Sequence, residues 1–73
     1  MQPIRTDDER VIHLLIANHG RMKQSEVVEQ TDWSKAKVSR LLSRMEERDQ
    51  IVRTRIGREN VVQLADANLS PSP

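Results

Sequence analysis

From Val38 the apolar side chains Val38, Leu41, Leu42 and Met45 recur at i, i+3, i+4 and i+7. This is the period of a helix burying one stripe. Ser34 stands just before the pattern as a good N-cap, so the spacing predicts a helix over residues 34–49. The same period over Val11, Ile12, Leu15 and Ile16 predicts a first helix over about 7–19. Thr6-Asp7-Asp8-Glu9 reads as its capping box, and Gly20 as the C′ residue that stops it. A shorter second helix is expected from Gln24 to Thr31, with Val27 and Val28 turned inward and Met22 just ahead of it. After Gln50 the period falls to two. Ile51–Arg55 and Asn60–Leu64 are rich in branched residues and read as strands, with Ile56-Gly57-Arg58-Glu59 joining them into a hairpin. The expected order is helix, helix, helix, hairpin: a mainly α chain with a small β-hairpin.

The polar side of the third helix carries the chemistry. At about 100° per residue, Ala36, Ser39, Arg40, Ser43 and Glu47 point away from the apolar stripe, with Lys37 and Arg44 on one flank. Residues 34–45 hold Lys35, Lys37, Arg40 and Arg44 and no acid, and residues 50–58 hold Arg53, Arg55 and Arg58 and no acid. Two short segments thus carry +7 in a chain whose formal net charge is only +1. Such segregation steers a polyanion to one surface. A helix with small, hydroxylated and cationic residues near its start suits a major groove, where donors meet base edges and charge meets phosphate.

Composition narrows the alternatives. Seventy-three residues make one domain with a small core. There is no cysteine, hence no disulfide framework or zinc–thiolate site. His13 and His19 are too far apart on one helix to share a metal, and His13 reads as a solvated surface residue. No cofactor is implied. One tryptophan, without Phe or Tyr, does not make a stacking platform for single strands; Trp33 is expected to plug the core between the second and third helices. The serines lack a His–Asp set and two glycines make no phosphate cradle, so an enzyme is not expected. No apolar run is long enough for a membrane span and no secretory signal opens the chain, so a cytoplasmic protein is expected. The domain is expected over residues 1–66, with 67–73 as a flexible tail ending Ser70-Pro71-Ser72-Pro73.

Met22–Thr31, Trp33–Leu42, Met45–Arg53 and the closing Val62-Gln63-Leu64 together resemble the winged helix-turn-helix domains of MarR-like transcriptional regulators of prokaryotes and archaea. With the first helix the resemblance covers roughly residues 5–66. It implies three helices plus a two- or three-stranded wing, double-stranded DNA as partner, residues 34–49 as recognition helix and 51–64 as wing. Lys35, Ala36, Lys37, Ser39 and Arg40 then fall at the groove, Arg44 near phosphate and Arg58 at the wing tip. Ser34, Arg53 and Arg55 complete the candidate DNA-binding set. Asp32 and Trp33 stand where such regulators often have a small residue followed by an aliphatic one. The terminal dimerisation helices of full-length regulators have no counterpart, which leaves a homodimer partner or further domains of a longer chain open. The competing expectation is a winged-helix protein-interaction module, which would show an exposed apolar patch near the groove face; none is evident in the pattern.

Overall fold

The computed structural model describes residues 6–65. The lead-in before Thr6, the boundary at residue 66 and the expected tail over 67–73 lie outside them. Helices α1 (Asp7–Ala17), α2 (Gln24–Glu29) and α3 (Lys35–Glu47) pack with strands β1 (Arg21–Lys23), β2 (Ile51–Ile56) and β3 (Glu59–Leu64). The strands form one antiparallel sheet in the order β1-β3-β2.

The start of α1 follows from its sequence. The Glu9 amide donates to the Thr6 hydroxyl at 3.1 Å and the Thr6 amide to the Glu9 carboxylate at 3.3 Å. Asp7, Asp8 and Glu9 sit at the positive end of the helix dipole. The end differs from the expected 7–19. Asn18 caps the helix, its side-chain amide donating to the Leu14 carbonyl at 2.8 Å. His19, not Gly20, is the C′ residue, at φ 65°, and Gly20 follows at φ 88°. The His19 amide donates to Ile16 and the Gly20 amide to Leu15, a Schellman closure.

Arg21-Met22-Lys23, expected only as a lead into the second helix, pairs with β3 through Arg21↔Gln63, Met22↔Val62 and Lys23↔Val61. Helix α2 stops at Glu29 rather than Thr31 because the Thr31 hydroxyl turns back to the Val27 carbonyl at 2.8 Å. Ser34 caps α3 by accepting from the Lys37 amide at 3.1 Å. Its end repeats the closure of α1, with Asp49 at φ 61° and the Gln50 amide donating to Met45 at 2.9 Å. The hairpin strands each run one residue further than the two-residue period predicts, and only Gly57 and Arg58 remain in the turn. Of these two, Gly57 alone has positive φ, the sign pattern of a II′ turn.

The core is Val11 and Leu15 from α1, Val38, Leu41, Leu42 and Met45 from α3, and Met22, Val27, Ile51 and Val62 from the other elements. The α3 members are the four that its spacing marks. Truncating one such side chain to alanine costs about 2–5 kcal/mol. A domain this size holds about 4–11 kcal/mol in all. Trp33 is not the plug its position suggests: it is half-buried and lies against this cluster rather than inside it.

Candidate nucleic-acid interface

Helix α3 buries one stripe, and its polar face divides into three strips. Ala36, Arg40 and Glu47 point outward and are exposed. On the α1 side, Lys37 Nζ lies 3.2 Å from the Asp7 carboxylate and 5.0 Å from the centre of the Trp33 ring, and Arg10 stands 5.7 Å from the same ring. Arg48, the C-cap of α3, pairs with Asp8 at 3.3 Å. Two acids that suit the start of α1 thereby also meet the basic side of α3. The Lys37–Asp7 pair is nearly half exposed on both sides, and such pairs are worth under about 1 kcal/mol, so a phosphate can compete for Lys37.

On the hairpin side, α3 and β2 are joined through Arg53. Its Nε meets Glu46 Oε1 at 3.2 Å, its Nη2 donates to Ser43 Oγ at 2.8 Å, and its Nη1 to Gln24 Oε1 at 3.4 Å. Glu46 also accepts the Arg53 backbone amide at 3.3 Å. The guanidinium side chain is only 19% exposed. Charge alone groups Arg53 with Arg55, whereas the structure sets it inside a polar joint between α2, α3 and the sheet. Ser43, expected to face solvent, is half-buried in that joint.

The remaining candidates stay at the surface. Ser34, Lys35, Ala36, Ser39, Arg40, Arg44, Arg55 and Arg58 are all exposed. The hydroxyl of Ser34 is engaged in capping, and Arg55 Nε donates to the Gly57 carbonyl at 3.3 Å. Among the described residues, Lys35, Arg40, Arg44, Arg55 and Arg58 have no salt bridge. Lys35 and Ser39 face the hairpin turn across a cleft that Arg58 also lines. The other walls come from α2 and β3, including Ser25 and Asn60, which no local pattern marks because they reach α3 only through the tertiary fold.

The sheet adds a feature that the pattern does not show. Successive strand residues alternate between faces, so Ile51, Arg53 and Arg55 share the core side with Val62, while Val52, Thr54 and Ile56 point outward. Val52 is 46% and Ile56 51% exposed. Two exposed apolar residues therefore lie on the outer face of β2, Ile56 beside the hairpin turn and Val52 at the opposite end of the strand, where the pattern predicts no exposed apolar patch. Among the described residues no cluster of His, Asp and Glu is arranged to hold a metal, and no helix is long and apolar enough to cross a membrane.

Comparison with known proteins gives a family without an assigned role. The chain is 46% identical over 61 residues to an uncharacterized protein, MJ1254, of Methanocaldococcus jannaschii; the match covers 84% of this chain and 13% of that protein. The chain thus spans a small fraction of its relative's length. No solved structure matches. The family model that matches, over residues 4–65, takes in every described residue, and the chain belongs to that family, the domain of unknown function DUF7343.

Proposed function

We propose that this chain is a winged helix-turn-helix domain that binds double-stranded DNA as part of a transcriptional regulator in the prokaryotic cytoplasm. Helix α3 offers Ala36, Ser39 and Arg40 to the major groove, and the β2–β3 hairpin lies on the flanking backbone or minor groove. The observation that carries the reading is that, of the exposed cations without ion pairs among the described residues, five gather on α3 and the hairpin: Lys35, Arg40 and Arg44 on α3 and Arg55 and Arg58 on the hairpin. An α-helix with this profile fits the major groove, and Ala36 lets its backbone approach closely. The resemblance of Met22–Leu64 to MarR-like regulators supports the same reading.

Fluorescence anisotropy with labelled duplex at several salt concentrations tests it. If three to five cations meet phosphate, log K falls against log salt with a slope of about −3 to −4.5. A flat response, or no binding at low salt, refutes the DNA reading. The exposed Val52 and Ile56 favour a second reading, a winged-helix protein-interaction module. On that reading duplex binding is absent and replacing Val52 and Ile56 by serine abolishes partner capture.

A further inference from the structure

Between the start of α2, the first turns of α3 and the hairpin turn lies an open cleft of about 280 Å3. Lys35 and Ser39 line it from α3, Ser25 from α2, and Arg58, Glu59 and Asn60 from the hairpin. Two of its acceptors are engaged within the wall. Glu59 accepts from Ser25 Oγ at 3.4 Å, and Gln24 Oε1 accepts from both Asn60 and Arg53 at 3.4 Å. Lys35 and Arg58 have no salt-bridge partner among the described residues. The cleft therefore presents the unpaired cations Lys35 and Arg58, and with Glu59 its lining carries a net charge of +1.

Size and charge together select the ligand. Pockets that engulf drug-sized molecules run to about 300–1,000 Å3. This cleft falls just short of that range and is open on one side, which suits a group carried on a larger body. Its single net positive charge matches the single negative charge of a phosphodiester. Lysine supplies a point charge and arginine a planar fork, so the two can hold different oxygens of one phosphate.

We propose that the cleft seats one phosphodiester of the DNA backbone, held jointly by Lys35 of α3 and Arg58 of the hairpin turn. This rests on the DNA reading above and assigns Arg58 to the backbone rather than to the minor groove. One phosphate then ties the hairpin and α3 to the same strand. Such contacts fix register rather than read sequence, so the seat sets which bases face Arg40.

The test compares wild type, Lys35→Ala, Arg58→Ala and the double variant on one duplex, between about 50 and 200 mM salt. Circular dichroism confirms that each variant is folded. A shared phosphate counts once: the double variant loses about 0.9 from the magnitude of the salt slope, and each single variant loses less. Duplexes carrying one neutral methylphosphonate at successive positions should show a single position at which both substitutions cease to matter. A loss of about 1.8 in the double variant, or different positions for the two residues, overturns the shared seat. Wild-type-like binding by all three variants overturns it as well, while leaving the DNA reading intact. Failure of the wild type to bind any duplex at low salt removes the DNA reading and the seat with it.

Discussion

Arg53 and Arg55 lie on the same face of β2, two residues apart, yet replacing them by alanine should have very different consequences. Arg53 loses an ion pair at 3.2 Å with Glu46, a hydrogen bond at 2.8 Å with Ser43 and a long contact with Gln24. A hydrogen bond to a charged group is worth about 1.5–3 kcal/mol net. Glu46 is 40% exposed and keeps the backbone amide of residue 53, so water offsets part of its loss. Ser43 is half-buried and loses its guanidinium donor, and the aliphatic stem of Arg53 no longer packs in the joint. The net cost is about 2–3 kcal/mol. At about 4–8 °C per kcal/mol, the melting temperature falls by about 8–24 °C. Arg55 is exposed and bonds only to the nearby Gly57 carbonyl, so Arg55→Ala should stay within about 0.5 kcal/mol of wild type. Thermal melts followed by circular dichroism measure both. Below the melting range, Arg55→Ala should lower the salt slope by up to about 0.9, and Arg53→Ala should leave it unchanged. Equal melting temperatures for the two variants refute the joint, and a lowered slope for folded Arg53→Ala returns Arg53 to the contact surface.

Trp33→Ala should cost about 2–3 kcal/mol, less than the 3–5 of a fully buried aromatic, because the ring is half-buried and is flanked by Lys37 and Arg10; a urea melt followed by circular dichroism measures it, and an unchanged midpoint shows that the ring contributes no packing. Asp49→Gly should stabilise the domain by about 0.5–1 kcal/mol, since Asp49 closes α3 at φ 61°, where a side chain is strained. A lower melting temperature for that variant would mean that the Asp49 carboxylate contributes more than its backbone costs.

The long elements were readable because their signals are local. Thr6 and Glu9 cap α1 three residues apart, and the spacing of Val38 to Met45 marks the buried stripe of α3 without reference to anything else. Strand β1 was not readable in that way. Its three residues alternate polar, apolar, polar, but what makes them a strand is Val62 opposite Met22 from far along the chain. The interface shows the same division. Charge segregation identifies the basic segments, but which cations stay free depends on acids supplied by other elements: Asp7 for Lys37, and Glu46 for Arg53. Trp33 lies between these cases, since its position marks a packing role but its depth depends on where Arg10 and Lys37 come to rest.

Strand β3 closes the described fold yet occupies the middle of the sheet, with β1 and β2 on either side and no ladder between them. The β2–β3 ladder needs only a two-residue loop, and such hairpins form in microseconds. The β1–β3 ladder joins Arg21 to Gln63 and encloses α2, α3 and β2, so its closure entropy must be met before any of its bonds form. This non-local step sets the contact order of the domain and its folding speed. During synthesis β1 has no partner until Val61 to Gln63 have left the ribosome, so the sheet is completed only after all three helices have been made.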